Sequence, residues 1–460
     1  MSVHAILDRL KNKHILLLGF GKEGASSYAF IRNHLPESPI TVANREQLAD
    51  TSIFANDSHT HLLTGEHYLG TINQFDIVLK SPGISLKHII HSLDKNKISS
   101  QTDLFLQAFS AQCIGVTGTK GKSTTASFIY HVLKKLEKNT LLAGNIGIPL
   151  FDIVEEITPE TKIVLELSSH QLEFIHKSPH ISLLLNLFEE HLDHYNSLLD
   201  YQRAKFNIAK CQSKEDYFIY NTTDISIANL LKTNPIASHL VGFSLFAEPL
   251  STIYTKNQYF YRVSDKKEEK ICEITPDFTL KGEHNLANTA AVIAAVSCLE
   301  NVDILQIRNA IYSFHGLPHR LEYIGEFGGI LFYNDSISTI PQASIAAVQA
   351  LKNVNTLILG GFDRGIDYQP LIDFLENSDI ENVIFTGEAG KRMLSLSNNR
   401  LKNKRLFLQD TYSEIVALAK THTRKGSICL LSPAAASYDQ FRNFEHRGQY
   451  FRELVMEKRG

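Results

Sequence analysis

A glycine-rich turn at residues 118–124 combines residue types that bind phosphate. It follows the apolar run Ile114–Thr117 and precedes a helical pattern, and its members are Gly118, Thr119, Lys120, Gly121, Lys122, Ser123 and Thr124. Backbone N–H groups in such a turn, together with a helix N-terminus, form a concave anion site. Lys122 would reach the terminal phosphates of a nucleotide, and Ser123 would offer its hydroxyl to Mg²⁺. The strict phosphate-loop spacing has glycine where Val116 stands, and the alternative is a turn that only caps a helix.

Polar side chains follow two later apolar runs, where buried parallel strands would end. Glu166 lies at the end of the first run, Asn186 lies at the end of the second, and His191 follows the second. Ligands of open parallel sheets bind outside the carboxyl ends of strands, and a carboxylate there suits Mg²⁺. Glu166 is therefore a predicted magnesium ligand, with a helix-capping carboxylate as the alternative. His191 and His194 could bind zinc, but this spacing without a thiolate is equally typical of ordinary histidines.

A second glycine-rich turn, Gly19-Phe20-Gly21-Lys22-Glu23-Gly24, also follows an apolar run. Its G-x-G-x-x-G pattern matches dinucleotide-binding proteins, which need an acidic residue about 20 residues later, at the end of the next strand. Ala43 and Asn44 stand at that position. The turn therefore favours a non-redox nucleotide or diphosphate at a helix N-terminus over a redox cofactor.

Short apolar strands that alternate with helical patterns would position these turns. The predicted strands are His14–Leu18, Ile77–Lys80, Ile114–Thr117, Lys162–Leu167, Ile181–Leu187, Thr356–Leu359, Asn382–Thr386 and Ser427–Leu431. Several are apolar without alternation, as in strands covered on both faces. The pattern predicts an α/β protein with mostly parallel sheets in three blocks: residues 1–98, 99–315 and 316–460.

The composition narrows the class of protein. Hydrophobic residues make up 43% and charged residues 21%, as in soluble globular proteins. The net charge of −3 gives no broad basic field for nucleic acid, and the five cysteines lack a C-x-x-C pair. No signal peptide and no apolar run of about 18 residues is evident. We expect a cytoplasmic monomer without a nucleic-acid or membrane partner.

Taken together, the motifs resemble those of the Mur ligase family. The additional matches, in family order, are Gly144–Gly147, Glu166–Ser169, the run around His191, Gly282–Asn288, Leu317–Arg320 and Asn334–Ser336. The resemblance implies a Rossmann-like UDP-sugar domain at residues 1–98, a central P-loop ATP-binding domain at 99–315 and a Rossmann-like amino-acid-binding domain at 316–460. It also implies an ATP-dependent acid–amino-acid ligase that works through an acyl phosphate and releases ADP and phosphate.

Two segments resemble one branch of the family in particular. Ser81–Ile84 and Leu431–Phe441 are similar to enzymes that add D-glutamate to UDP-N-acetylmuramoyl-L-alanine in peptidoglycan precursor synthesis. A related branch that adds L-glutamate to the same nucleotide is the alternative. A nucleotide-sugar oxidoreductase would leave the phosphate-binding turn unexplained, and a P-loop switch ATPase would leave the third block unexplained.

The resemblance implies roles for individual residues. ATP would contact Gly118, Thr119, Lys120, Gly121, Lys122, Ser123, Thr124, Asn288, Arg320 and Asp335. The UDP-N-acetylmuramoyl-L-alanine site would comprise Gly19, Gly21, Lys22, Gly24, Arg45, Ser81, Gly83, Asn145 and His191. Glutamate would contact Thr339, Arg364, Ser437 and Phe444. Two Mg²⁺ sites would involve Ser123, Glu166, His191 and Lys205, and the catalytic set would be Lys122, Lys205, His191 and Glu166.

Lys205 matches the lysine that the family carbamylates, which turns a cation into an anion able to position Mg²⁺. Without the resemblance it would be interpreted as a solvated helix lysine. Three positions depart from the D-glutamate branch. Ile337 and Arg364 each replace a usual lysine, and Ala43-Asn44 replaces the usual acidic residue after the second strand. The first two departures concern the amino-acid pocket, where arginine brings a bidentate fork instead of a point charge.

Overall fold

Three β-sheets form the fold of this chain. The structure is a computed structural model and describes residues 3–48, 50–190, 194–264, 267–275, 278, 280, 282–300 and 302–457. The chain divides into two compact units, residues 1–314 with two sheets and residues 315–460 with one. All eight predicted strands are present, with ends that differ from the prediction by at most three residues. The predicted α/β class with mostly parallel sheets is confirmed.

The first sheet is a five-stranded parallel sheet with the order β3-β2-β1-β4-β5. Strands β1 and β4 are buried throughout, as expected for apolar runs covered on both faces. The strand order reverses between β1 and β4, and a crevice for ligands opens at such a point. The elements are α1 (Val3–Leu10), β1 (Ile15–Leu18), α2 (Lys22–His34), β2 (Ile40–Asn44), β3 (Thr60–Thr64), β4 (Ile77–Lys80), β5 (Ile98–Ser99) and α3 (Gln101–Phe109).

The second sheet has nine strands in the order β14-β13-β12-β11-β10-β9-β6-β8-β7. Strands β6 to β12 are parallel, and β13 and β14 add an antiparallel extension that the sequence did not predict. The elements are β6 (Cys113–Thr117), α4 (Lys122–Lys135), β7 (Thr140–Gly144), β8 (Lys162–Glu166), α5 (Ser169–Leu172), β9 (Ile181–Leu184), α6 (Leu198–Lys210), β10 (Tyr217–Asn221), α7 (Ile225–Thr233), β11 (His239–Phe243), β12 (Ser251–Lys256), β13 (Tyr259–Ser264), β14 (Lys267–Glu273), α8 (Glu283–Ser297) and α9 (Ile304–Tyr312).

The third sheet has six strands in the order β15-β16-β20-β17-β18-β19, and only the β15–β16 pair is antiparallel. Strand β20 lies between β16 and β17, so the loops after these three strands emerge side by side at one edge. The elements are β15 (Glu322–Phe327), β16 (Ile330–Asn334), α10 (Pro341–Leu351), β17 (Val354–Gly360), α11 (Gln369–Glu376), β18 (Asn382–Thr386), α12 (Gly387–Ser397), β19 (Arg405–Leu408), α13 (Tyr412–His422), β20 (Ile428–Leu431) and α14 (Phe444–Met456).

Buried polar contacts join the first two sheets into one compact unit. Lys80 at the end of β4 forms an ion pair of 3.2 Å with Glu173, and burial lowers the pKa of this lysine. Gln171 donates a hydrogen bond of 2.6 Å to Glu23. A buried pair that loses one partner leaves an uncompensated charge, so these contacts resist separation of the two sheets.

Short 3₁₀ segments occur between the longer elements, at Ser52–Phe54, Ile72–Gln74, Ile90–Ser92, Lys95–Lys97, Ser110–Gln112 and Leu150–Glu156. Among the described residues, no helix has both the length and the apolar character required to cross a bilayer.

Candidate functional site

The turn at residues 118–124 connects β6 to α4 and has the backbone of a phosphate-binding loop. Gly118 and Gly121 have φ angles of 155° and 88°, which L-residues with a Cβ rarely adopt. A Cβ on Gly121 would lie 2.6 Å from Oδ1 of Asn288, so this side chain of α8 packs directly against the turn. The glycines thus permit both the sharp turn and the close approach of Asn288.

Side chains from distant strands and helices hold this turn in place. Asn186, which follows β9, accepts a hydrogen bond from the Lys120 N–H (2.8 Å) and donates one to the Lys120 carbonyl (3.0 Å). The Thr119 hydroxyl lies 3.0 Å from the Tyr201 hydroxyl. Contacts of this kind keep the backbone amides oriented before a ligand binds, which lowers the cost of binding.

Two lysine side chains converge on one carbonyl group of the turn. Nζ of Lys122 lies 3.0 Å and Nζ of Lys205 lies 2.8 Å from the carbonyl oxygen of Gly118. Lys205 is on α6 and is only 2% exposed. Burial, followed by the nearby charge of Lys122, lowers the pKa of Lys205 to about 7. The interpretation of Lys205 as a solvated lysine is therefore wrong.

Glu166 ends β8, next to β6, and is 1% exposed. Its Oε1 accepts a hydrogen bond of 2.9 Å from Asn145, whereas Oε2 is buried without a hydrogen-bond partner among the described residues. A buried carboxylate oxygen needs compensation, and a cation supplies it. Ser123, in the first turn of α4, has the hydroxyl that the phosphate-loop pattern offers to Mg²⁺. The two residues fit a Mg²⁺ site that also uses water and phosphate oxygens.

The described residues hold no cluster of three or more His, Cys, Asp or Glu side chains that could enclose a metal ion. A magnesium site with one carboxylate does not require such a cluster, because Mg²⁺ usually keeps several waters and binds substrate phosphates. His191, the third predicted protein ligand, lies outside the described residues.

A cavity of about 310 Å³ adjoins the phosphate-binding turn. Its lining is mostly apolar and includes amide, imidazole and carboxylate groups. The lining residues are Lys120, Gly121, Leu185, Asn186, Phe188, Asn221, Phe243, Leu245, Glu283, His284, Ala287 and Asn288. An apolar cavity with a few polar groups suits a planar heterocycle such as a nucleotide base.

The N-terminal glycine turn lies where the order of the first sheet reverses. Gly19 follows β1 with φ 91°, and its carbonyl accepts a hydrogen bond of 2.9 Å from Ser81, which follows β4. A Cβ on Gly24 would lie 2.3 Å from the Gly19 carbonyl oxygen, so α2 packs tightly against the turn. Other members of the predicted nucleotide-sugar site follow nearby strand ends: Gly21 and Lys22 after β1, Arg45 after β2, and Gly83 after β4. The first sheet therefore brings these residues to one edge, whereas Asn145 follows β7 of the second sheet.

The second unit brings together the remaining predicted residues. Asp335 follows β16 and is 2% exposed, and it accepts hydrogen bonds from the Ser432 hydroxyl (2.6 Å) and the Leu321 N–H (3.2 Å). Burial raises the pKa of Asp335, and the charge of exposed Arg320 opposes that shift. Arg320 and Asp335 thus lie close together in this unit, whereas Asn288 contacts the turn in the first unit.

Three of the four predicted glutamate-binding residues lie on loops at one edge of the third sheet, and the fourth begins a helix. Thr339 follows β16, Arg364 follows β17, Ser437 follows β20 and Phe444 begins α14. Nη2 of Arg364 donates a hydrogen bond of 3.1 Å to the Thr339 carbonyl, so at least these two residues are neighbours.

The acidic neighbours of Arg364 have other partners. Asp363 accepts a hydrogen bond of 2.8 Å from Arg392, and the Asp367 carboxylate accepts one of 2.9 Å from the Gln369 N–H. The described contact of Arg364 is to a neutral carbonyl, and the side chain is exposed. Its charge is therefore available for an anionic ligand.

Comparisons with known proteins agree with this geometry. A profile of the Mur ligase middle domain matches residues 116–296. The UDP-N-acetylmuramoylalanine–D-glutamate ligase of Clostridium botulinum (strain 657 / Type Ba4) is 31% identical over 466 residues, covering 97% of both chains. The chain belongs to the Mur ligase family.

Solved structures of other Mur ligases share the fold of this family member. MurF of Acinetobacter baumannii has a TM-score of 0.60 at 16% identity, covering 99% of both chains. MurF of Thermotoga maritima, solved in complex with ADP, has a TM-score of 0.51 at 17% identity and the same coverage. The resemblance drawn from the motifs is confirmed, and this Mur ligase forms amide bonds with ATP in peptidoglycan precursor synthesis.

Sequence reasoning missed residues of this Mur ligase that act through contacts between distant segments. Asn186 was noted only as a polar strand-end residue, and Tyr201 was not noted at all. Arg447 was also missed, although it occupies the same helical stripe as the buried residues Phe451 and Val455. A charged residue at the i, i+4, i+8 spacing of an apolar face is a signal of a buried charge.

Proposed function

We propose that this Mur ligase joins glutamate to UDP-N-acetylmuramoyl-L-alanine, with D-glutamate favoured over L-glutamate. The observation that carries the proposal is the pair of lysines on the Gly118 carbonyl, together with Glu166 at the end of the neighbouring strand β8, whose Oε2 is buried with no hydrogen-bond partner in the described part of the chain. This arrangement suits transfer of a phosphoryl group, because charge develops on the transferred phosphate oxygens. The name of the Clostridium botulinum relative supports the choice of substrates.

ATP would bind at the phosphate-binding turn with its base in the adjoining cavity. The amides at the start of α4 would face the phosphates, since the N–H groups of Thr119 and Lys120 donate to Asn186. Asn288 contacts the turn and lines the cavity. The ADP complex of the Thermotoga maritima relative is consistent with this use of the fold. Arg320 and Asp335 would contact the nucleoside and phosphates of ATP, which stays a prediction.

Mg²⁺ would be held by Ser123, Glu166 and a carbamylated Lys205, with His191 as a further predicted ligand. When bound, Mg²⁺ neutralises charge on the phosphate oxygens and polarises the phosphoryl group. Asn145 would keep Glu166 in position, because its side-chain amide donates to Oε1 and leaves Oε2 for the metal.

The surroundings of Lys205 support the proposal that it is carbamylated. A neutral amine forms a bond to the carbon of CO₂, and a proton leaves the nitrogen. The lowered pKa of Lys205 leaves a large fraction of the amine neutral near pH 7. The product carries negative charge, which two cations, Lys122 and Mg²⁺, would stabilise.

The reaction has two steps. A carboxylate oxygen of the nucleotide-linked alanine attacks the γ-phosphorus of ATP, ADP leaves, and an acyl phosphate forms. The amine of glutamate then attacks the acyl carbon, loses a proton, and phosphate leaves. Lys122 stabilises charge on the phosphoryl group in the first step, and the turn amides hold the ADP leaving group.

The nucleotide sugar would bind at the carboxyl edge of the first sheet. The helix N-terminus at Lys22 and the open space beside Gly21 suit a diphosphate, and exposed Arg45 adds positive charge. Residues 1–98 would form this domain, residues 99–315 the ATP domain and residues 316–460 the amino-acid domain. The enzyme would act in the cytoplasm, and it would act as a monomer.

Glutamate would bind at the edge of the third sheet, where Arg364 is exposed and contacts Thr339. A buried carboxylate without a partner costs several kcal/mol, so both carboxylates of the substrate need donors. Arg364 would bind one of them through two parallel N–H groups, and Thr339, Ser437 and the backbone at Phe444 would supply hydrogen bonds.

Replacing Arg364 with lysine tests this pocket. Arg364→Lys keeps the charge but loses the fork, so we expect the KM for glutamate to rise about tenfold, or about 1.4 kcal/mol. The KM values for ATP and the nucleotide sugar should change little, because the change removes a contact to one substrate only. Steady-state kinetics with each substrate varied in turn measures the effect.

The matched control is Arg405→Lys, because Arg405 belongs to the same sheet and pairs with Glu381 at the surface. It should leave all three KM values unchanged. If Arg364→Ala retains the wild-type KM for glutamate, Arg364 does not bind the substrate.

A coupled assay of ADP release tests the function as a whole. A ligase releases ADP only when both UDP-N-acetylmuramoyl-L-alanine and the amino acid are present, whereas a switch ATPase requires neither. D-glutamate and L-glutamate are supplied in separate reactions. A clear preference for L-glutamate would reverse the stereochemical assignment, and ADP release without either substrate would contradict the proposed ligation.

A further inference from the structure

Arg447 on the last helix is a buried arginine to which no role is yet assigned. It is 1% exposed and is the largest fully buried side chain among the described residues. It lies on the inner stripe of α14 with Phe451 and Val455. Arginine is almost never fully buried unless its charged group has partners. The partners of Arg447 therefore indicate what it does.

The guanidinium group of Arg447 binds three loops of the third sheet at once. Nε donates to the Ser336 hydroxyl (2.9 Å), and Nη2 donates to the carbonyls of Ser336 (2.8 Å) and Ala435 (3.1 Å). Nη1 donates to the carbonyls of Ala436 (3.2 Å) and Gly360 (3.5 Å). These acceptors lie at the end of β17 and in the loops after its neighbours β16 and β20.

The same three loops carry the proposed glutamate-binding residues. Thr339 lies three residues after Ser336, and Arg364 lies four residues after Gly360. Ser437 is next to Ala436 in the chain. The fourth residue, Phe444, is connected as well, because the Ser336 hydroxyl donates a hydrogen bond of 2.8 Å to its carbonyl.

Two glycines allow close packing around the guanidinium group of Arg447. A Cβ on Gly361 would lie 3.0 Å from Nη1 of Arg447 and 2.3 Å from the Ala436 carbonyl oxygen. Gly448 is the next residue of α14, and a Cβ there would lie 2.2 Å from Nδ1 of His319. Glycine at these two positions therefore allows the loops, α14 and their side chains to approach closely.

The hydrogen bonds of Arg447 go to neutral groups and not to an anion. All five acceptors are neutral oxygens, and within the described part of the chain no ion pair includes this residue. Asp439 acts on it through space, and burial lowers the pKa of Arg447. A buried cation that is hydrogen-bonded only to neutral oxygens contributes positive potential at this edge of the sheet, and Asp439 offsets part of it. Glutamate has two carboxylates, and Ile337 stands where the family usually has a lysine.

We infer that Arg447 is a positioning residue for the amino-acid substrate, which fixes the three loops of the pocket and supplies part of its positive potential. The inference rests on the proposed function, because the loops matter only if glutamate binds there. Arg447 would not contact the substrate itself. It acts through Ser336, Gly360, Ala435 and Ala436.

Arg447→Lys separates this role from a general structural one. Lysine keeps the charge but cannot reach three loops, because its single ammonium group replaces a planar fork. We expect the KM for glutamate to rise at least tenfold, while the KM values for ATP and the nucleotide sugar stay within about twofold. A purely structural role would lower the melting temperature and the amount of active enzyme without a selective change in one KM.

Arg452→Lys is the matched control, since Arg452 lies on the same helix and pairs with Glu322 near the surface. It should leave all three KM values unchanged. Ser336→Ala is the second test variant, because it removes the acceptor of Nε but keeps the arginine. We expect a smaller rise of the glutamate KM, about threefold or more, and this variant decides the question if Arg447→Lys does not fold.

The wild-type enzyme, assayed first with both stereoisomers of glutamate, separates failure of the inference from failure of the proposed function. If the wild-type enzyme uses neither stereoisomer, the proposed function fails. If the wild-type enzyme ligates glutamate and the folded variants retain its KM for glutamate, Arg447 is not a positioning residue.

Discussion

Lys122→Ala should reduce ligation by about 10²-fold or more while the protein remains folded. Lys122 begins α4 and its ammonium group lies at the Gly118 carbonyl, beside the phosphate-binding amides. Removing this cation leaves charge on the transferring phosphoryl group less stabilised, by about 3 kcal/mol. The rate of ADP release with saturating substrates measures the loss, and circular dichroism with a melting curve verifies the fold.

Lys135→Ala serves as the control, because Lys135 is exposed at the other end of the same helix. It should leave the rate within about twofold of the wild-type enzyme. Near-normal turnover by a folded Lys122→Ala protein would contradict the assignment of the turn as the ATP phosphate site.

Lys205→Ala should abolish most of the activity, for a different reason. The carbamate would supply negative charge that positions Mg²⁺, and alanine supplies none. Short carboxylic acids added to the assay should restore part of the activity by filling the anionic position. They should not restore Lys122→Ala, because that variant lacks a cation. Lys210→Ala, an exposed position on the same helix, is the control and should remain fully active.

The carbamate also predicts a dependence on pH and CO₂. Only the neutral amine reacts, and with a pKa of about 7 the neutral fraction of Lys205 falls about fivefold from pH 7 to about pH 6. Activity should therefore fall as the pH decreases through about 7 and return when bicarbonate is added. Isotopically labelled bicarbonate should give a carbamate signal by NMR in the wild-type enzyme and none in Lys205→Ala. Full activity of Lys205→Ala without CO₂ would show that the lysine has no catalytic role.

Local features of the sequence were sufficient to place the chemistry of this protein. The glycines at 118 and 121, the following Lys122 and the flanking apolar runs predicted a strand, a turn and a helix, and the structure has them. These features are readable because they depend on near neighbours in the chain: glycine permits positive φ, and an uninterrupted apolar run needs burial on both faces. The carboxylate at the end of β8 followed from the same logic.

The environment of Lys205 shows what only the tertiary structure decided. From the sequence this residue is one lysine of an amphipathic helix, and only the resemblance singled it out. In the fold, α6 places it against the turn after β6, where burial and Lys122 lower its pKa. The two lysines meet because β9 and β8 flank β6 in the sheet, an order that no local pattern contains.

The roles of Asn186 and Arg447 also depend on the tertiary structure. Asn186 holds both the N–H and the carbonyl of Lys120, and Arg447 joins loops from β16, β17 and β20. Each contact links segments far apart in the chain, so its existence depends on strand order and helix packing. The sequence by itself determined which groups could do the chemistry, because residue type and backbone freedom are local. The tertiary structure decided which groups are buried, paired or brought together, because burial and pairing are properties of the packed chain.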